Sequence, residues 1–135
     1  MTEGLEGARP GIVLPDVIAA YLRAYNAKDV PAMLDCLADD VVFLNVSGGA
    51  VDARADGKPS FGEMAAFGAT AFSSRRQVVT RAMTVWDTTL ATIAYDAVVA
   101  RDLPNGWTAG QALSFQGASA YRVRDGKIVE LVDQS

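Results

Sequence analysis

Apolar residues recur at three-to-four spacing in two early stretches of the chain. Val17, Ile18, Tyr21, Leu22 and Tyr25 form one stripe, and Val30, Met33, Leu34 and Leu37 form a second. Both predict short amphipathic helices. Pro15 suits the first turn of the first helix, where its missing N–H costs nothing. Asp29 is placed to cap the second helix, with Pro31 inside its first turn. Two helices joined this tightly must pack side by side. Residues 41–46 then alternate as a strand, with Val41, Phe43 and Asn45 on one face and Val42, Leu44 and Val46 on the other. Ser47-Gly48-Gly49 turns the chain, and residues 51–54 pair back as a short strand. Ser60 and Glu63, preceded by Pro59, predict a capping box for a third helix carrying Phe61, Met64, Phe67, Ala71 and Phe72. Gly62 and Gly68 weaken that helix by roughly 1 kcal/mol each, so tertiary contacts must hold it.

From Arg75 onward the pattern is β. Residues 77–86, 90–101, 111–124 and 127–133 are rich in Val, Thr, Ala and aromatics. Asp87-Thr88, Pro104-Asn105-Gly106 and Asp125-Gly126 punctuate them, and the last is a strong hairpin signal. Four long sequential strands predict an antiparallel meander, which must twist and curl. The expected fold class is therefore α+β: a curved antiparallel sheet packed against three N-terminal helices, shaped as a cone with an apolar interior. Residues 1–14 read as an N-terminal tail, loose over its first ten positions, and residues 15–135 as a single domain.

Composition narrows the function. A chain of 135 residues, half of them apolar and 21% charged, can bury a core without disulfides. The net charge of −4 is spread along the chain, which argues against nucleic acid and against an anionic membrane surface as partners. No apolar run reaches membrane-spanning length. The first fourteen residues place Glu3 and Glu6 before any apolar cluster, the wrong order for a signal peptide. One cysteine, Cys36, permits no internal disulfide, and a reducing, cytoplasmic setting is expected. The absence of histidine leaves a zinc or copper centre short of ligands and rules out a nucleophile activated by imidazole. No metal and no cofactor are expected.

The segments YLRAYNAKD from Tyr21, LADDVVFLN from Leu37, Gly57 with the helix after it, and YRVRDGKIVELVD from Tyr121 carry a resemblance. They are similar to the nuclear transport factor 2-like superfamily, in its SnoaL-like and ketosteroid isomerase-like branch. The resemblance covers nearly the whole chain from Pro15 and implies the cone fold. The fold hosts isomerases, cyclases, hydrolases and binders without chemistry, so it does not by itself fix an activity. Against the ketosteroid isomerases, Tyr21 matches the oxyanion-donating tyrosine of the first helix. Asn45 stands where that family has its carboxylate base, and Ser119 where it has a protonated aspartate. Against the limonene epoxide hydrolases, Asn45 and Asp133 match the pair that holds and activates a water. Phe43, Tyr95 and Ala97 depart from the rest of that set.

These readings converge on a candidate site. Asp133 is turned inward by alternation with Val129 and Leu131, where an apolar setting would raise its pKa and make it a better base; the competing reading is a solvated carboxylate near the chain end. Asn45 positions a water or a carbonyl, or else caps its strand. Tyr21 is an oxyanion donor. The expected substrate-binding residues are Phe43, Phe61, Met64, Tyr95, Phe115, Ser119, Tyr121 and Leu131. The expected ligand is a small, mostly apolar organic molecule. The chemistry, where there is any, is metal-free acid–base work: isomerisation, cyclisation, or hydration and hydrolysis. The alternatives are a non-catalytic ligand-binding module and a dimeric interaction domain. Ala94, Asp96, Val98, Ala112, Ser114, Gln116, Ala118 and Ala120 give the outer sheet face few charges, which predicts a homodimer covering it.

Overall fold

The computed structural model describes residues 6–135. Helix α1 (Asp16–Asn26) and helix α2 (Val30–Asp35) lead into strand β1 (Leu37–Ser47), followed by β2 (Ala50–Asp56) and helix α3 (Gly57–Ala71). Four strands follow: β3 (Phe72–Val85), β4 (Thr88–Val99), β5 (Ala112–Arg124) and β6 (Lys127–Gln134). They form one six-stranded sheet in the order β2-β1-β6-β5-β4-β3. The expected meander is β3 to β6, antiparallel throughout. The sheet as a whole is mixed, because β1 runs parallel to β6.

The turn chemistry accounts for several boundaries. Asp125 and Gly126 both take positive φ, at 52° and 75°, the mirror-image turn whose twist matches that of the flanking strands. Asp29 caps α2 by accepting from the Ala32 N–H at 3.1 Å. The third helix starts three residues before Ser60. Gly57, at φ 84°, swings the chain directly from β2 into the helix, so Asp56 takes the N-cap position and no side chain caps it. Ser60 and Glu63 thus lie inside the helix. Phe67 is exposed, and Phe72 opens β3 instead of closing α3; the buried residues of α3 are Phe61, Ala65 and Ala71.

Nor is the segment before the first helix loose where it is described. Gly7 is buried, and residues 7–9 pair with β3 through Arg9 N to Val79 O at 3.0 Å and Val79 N to Gly7 O at 2.7 Å. A Cβ on Gly7 would stand 2.3 Å from Leu22 Cβ, so only glycine admits this approach to α1. Residues 1–5 of the expected tail lie outside the described residues.

The core lies between the helices and the inner sheet face. Ile18, Leu22, Met33, Leu37, Val41, Val79, Tyr121, Ile128 and Leu131 are almost completely buried. A bulge at Val129 places Ile128 and Leu131, three positions apart, on the same inner face. It is therefore Ile128, not Val129, that shares the interior with Leu131. Among the described residues no helix is long and apolar enough to cross a membrane.

Candidate active site

One transverse row of register partners crosses all six strands: Ala53, Asn45, Asp133, Ser119, Ala91 and Ala82. Register partners share a face. The row thus carries an amide, a carboxyl and a hydroxyl side by side, flanked by alanines that leave space above them. Tyr21 and Tyr25 of α1, with Phe61, Met64 and Gly68 of α3, roof that space.

Two adjoining cavities result. One, of about 230 Å³, is lined by Tyr21, Tyr25, Met33, Phe43, Asn45, Ala53, Phe61, Met64, Ala65, Gly68, Phe72, Arg75 and Asp133. The other, of about 220 Å³, shares Tyr25, Asn45, Phe72 and Asp133 with it and adds Gln77, Ile93, Tyr95, Trp107, Phe115 and Ser119 together with the C-terminal residues. Tyr95 stacks on Phe115 with ring centroids 4.9 Å apart and meets Phe72 edge-on at 6.4 Å. Phe43 and Phe61 pack edge-on at 5.5 Å. The walls are thus largely aromatic.

Among the described residues, Asp133 is the only carboxylate lining either cavity. Part of the residue opens to the cavity space while its carboxyl is set deep in the protein. Burial raises its pKa from 3.8 to about 6, against the opposing pull of the Ser119 hydroxyl, which donates to Oδ1 at 2.7 Å. Oδ2 accepts no hydrogen bond among the described residues. Tyr21 is buried, and desolvation, aided by the nearby Asp133 carboxylate, pushes its hydroxyl well above the ordinary tyrosine range. It is a neutral donor, and no protein hydrogen bond among the described residues engages it. Asn45, although the register partner of Asp133, donates its amide to Asp52 Oδ1 at 2.8 Å.

Tyr121 and Leu131 line neither cavity. They sit in the adjacent row, with Phe43, packed in the core at 1% exposure each. Tyr121 Oη is buried without a hydrogen bond of ordinary geometry, although Ser119 is near enough to act on it.

Several lining residues lay outside the sequence-based set. Tyr25 hydrogen-bonds Tyr95 through their hydroxyls at 3.0 Å. Arg75, 7% exposed, lays its guanidinium over the Tyr25 ring at 3.8 Å. Phe72 and Trp107 meet at 6.3 Å beside the second cavity. Tyr25 was visible in the helical stripe but was given no role in the site. Arg75 marked only the point where the β pattern begins, and nothing local distinguishes it from Arg76.

No curated protein is similar enough in sequence to count as a match. Solved structures of low identity share the fold. A protein with a ketosteroid isomerase-like fold from Catenulispora acidiphila is 16% identical, covers 90% of this chain and 85% of its own, and superposes with a TM-score of 0.73. A limonene epoxide hydrolase-like epoxide hydrolase from M. tuberculosis is 18% identical over 89% of this chain and 80% of its own, at 0.71. A candidate polyketide cyclase from Xanthomonas campestris is 23% identical over 88% and 87%, at 0.70. The SnoaL-like domain family model matches residues 18–131, the span from the first helix to the strand that carries Asp133. With that match laid over a cone of three helices and a curved sheet, the chain belongs to the SnoaL-like family, in the nuclear transport factor 2-like superfamily.

Proposed function

We propose that this protein takes a small, mostly apolar organic molecule into the aromatic-walled cavity and acts on it by metal-free and cofactor-free acid–base chemistry. Isomerisation, cyclisation, or hydration and hydrolysis are the classes that one buried carboxylate can serve. The observation that carries this reading is the Asp133 carboxyl: cavity-facing, held at Oδ1 by Ser119, free at Oδ2, with a pKa of about 6. At pH 7 it is mostly ionised yet still a better base than a solvated aspartate. Asp133 takes the proton from substrate or from a water. Tyr21, neutral and unengaged, donates to the oxyanion that forms, with Tyr95 as a second hydroxyl in the adjoining cavity. Asn45 retains its carbonyl oxygen for a water or substrate hydroxyl. The likeness to an epoxide hydrolase and a candidate polyketide cyclase supports this range of chemistry without choosing within it.

A panel of enones, epoxides and linear polyketide mimics tests it. For any compound turned over, Asp133→Asn is expected to lower turnover by roughly 10²–10⁴-fold. Unchanged turnover removes Asp133 from the chemistry. A second reading, binding without catalysis, is favoured by one observation. Asn45 turns its amide towards Asp52 and makes no hydrogen bond to Asp133 among the described residues. A tight ligand released unaltered, with no pH-dependent reaction, supports it.

We also propose a homodimer through the outer sheet face. Met83 and Leu90, register partners on that face, are 64% and 55% exposed, and Val85 beside them 67%. Ala118, Ala120 and Val132 continue the surface as a shallow apolar depression. An apolar sheet surface of this kind is normally covered. The single thiol, Cys36, is buried and bonded to Ala32 O at 3.4 Å, in keeping with a reducing, cytoplasmic setting.

A further inference from the structure

Among the described residues, Arg75 is a buried cation without an anion. Its Nε donates to Tyr25 O at 3.1 Å, and one Nη2 hydrogen points at Met33 Sδ at 3.9 Å, a weak acceptor. The Tyr25 ring covers one face of the guanidinium. Among the described residues no carboxylate forms an ion pair with it, and no acceptor meets Nη1. Both Arg75 and Asp133 line the cavity beneath Tyr21 and Phe61, yet they do not pair with each other.

A purely structural role accounts for only part of this arrangement. The Tyr25 carbonyl, in the last turn of α1, already accepts from the Lys28 N–H at 3.0 Å; Arg75 Nε is a second donor to it, and a cation there is favourable. One N–H and one ring face satisfy that role. They leave the fork of the guanidinium free in a space walled by aromatics, where an arginine cannot shed its proton and desolvation without a counter-charge is costly. Gly68 on α3 keeps the place open: a Cβ there would stand 3.4 Å from Nη1.

We infer that the ligand carries an anionic group, a carboxylate or an enolate-type oxygen, which docks on the free edge of the Arg75 guanidinium while the apolar body lies against Phe43, Phe61 and Met64. This deepens the proposed function and rests on its reading of the cavity. The substrate class becomes a small aromatic or alicyclic organic anion. Arg75 fixes its orientation by a charge-assisted hydrogen bond, and Asp133 in the same cavity remains separate from that contact.

Calorimetric titration with 2-naphthoate and its uncharged counterpart 2-naphthamide tests the inference. Wild-type protein is expected to bind the carboxylate roughly tenfold or more tighter than the amide. Arg75→Gln is expected to abolish the preference and leave amide affinity within about twofold. Equal binding of both probes by wild type overturns the anion assignment and leaves the cavity reading standing. A preference that survives Arg75→Gln places the anion elsewhere and also overturns it. Binding of neither probe removes both readings. Where Arg75→Gln fails to fold, a crystal structure of the wild-type complex with 2-naphthoate decides: carboxylate within hydrogen-bond distance of Nη1 supports the assignment, and any other placement refutes it.

Discussion

Asp133 holds its proton to a higher pH than a solvated aspartate because the sheet row beneath the helices offers its carboxyl one hydroxyl and little water. Two consequences follow at this scale. A reaction that needs the ionised form should rise with pH through about 6 and level off above it, read from the pH dependence of kcat/KM. Stability should run the other way. Between 3.8 and about 6 the folded protein retains a proton that the unfolded chain has lost, so unfolding releases it and stability falls as pH rises through that window. Above it the penalty is complete, at most about 3 kcal/mol and less where cavity water screens the charge. Asp133→Asn keeps an acceptor for Ser119 and removes the charge. It should stabilise the protein by about 1–3 kcal/mol at pH 7.5, with the gain shrinking towards zero near pH 4, measured by urea denaturation at both values.

Between elements, α1 is tied to β3 by polar groups rather than by apolar contact alone. Asn26 pairs with the backbone of Gln77 as a strand would, donating Nδ2 to its carbonyl at 3.1 Å and accepting its N–H at 2.9 Å. Lys28, at φ 57° just past the helix, donates Nζ to the carbonyls of Phe72 and Ser73 at 2.7 and 2.9 Å. Asn26→Ala leaves both Gln77 groups buried and unpaired and should cost about 2–4 kcal/mol, read as a lower urea midpoint. Gly117 performs a different service on β5. A Cβ there would come within 2.6 Å of Gln134 O, so Gly117→Ala must displace the end of β6, next to Asp133. A drop in Tm with loss of ligand affinity is the expected outcome, followed by differential scanning fluorimetry. Asn26 is the last residue of α1, but its partner lies 51 positions away and no local pattern names it.

For the molecule as a whole, the two sheet faces have opposite duties. The inner face supports the helices and the cavities, and the outer face presents Met83, Val85 and Leu90 to solvent. Ultracentrifugation at micromolar concentration should find a dimer, and Leu90→Glu should shift it towards monomer without altering probe binding in the cavity. Periodicity alone determined the helix pair, the four-strand meander and the inward face of Phe43, Asn45 and Asp133, because alternation and helical spacing are local properties of the chain. Three things were decided only by the tertiary structure. The parallel seam between β1 and β6 brought Asn45 beside Asp133 across some ninety residues of chain. Packing beneath the helices separated the cavity residues from Tyr121 and Leu131, which alternation alone assigns to the same lining. Packing also buried Arg75 while leaving Arg76 exposed. A side chain's direction is set by its own strand, but its neighbours and its access to water are set by strands and helices far along the chain.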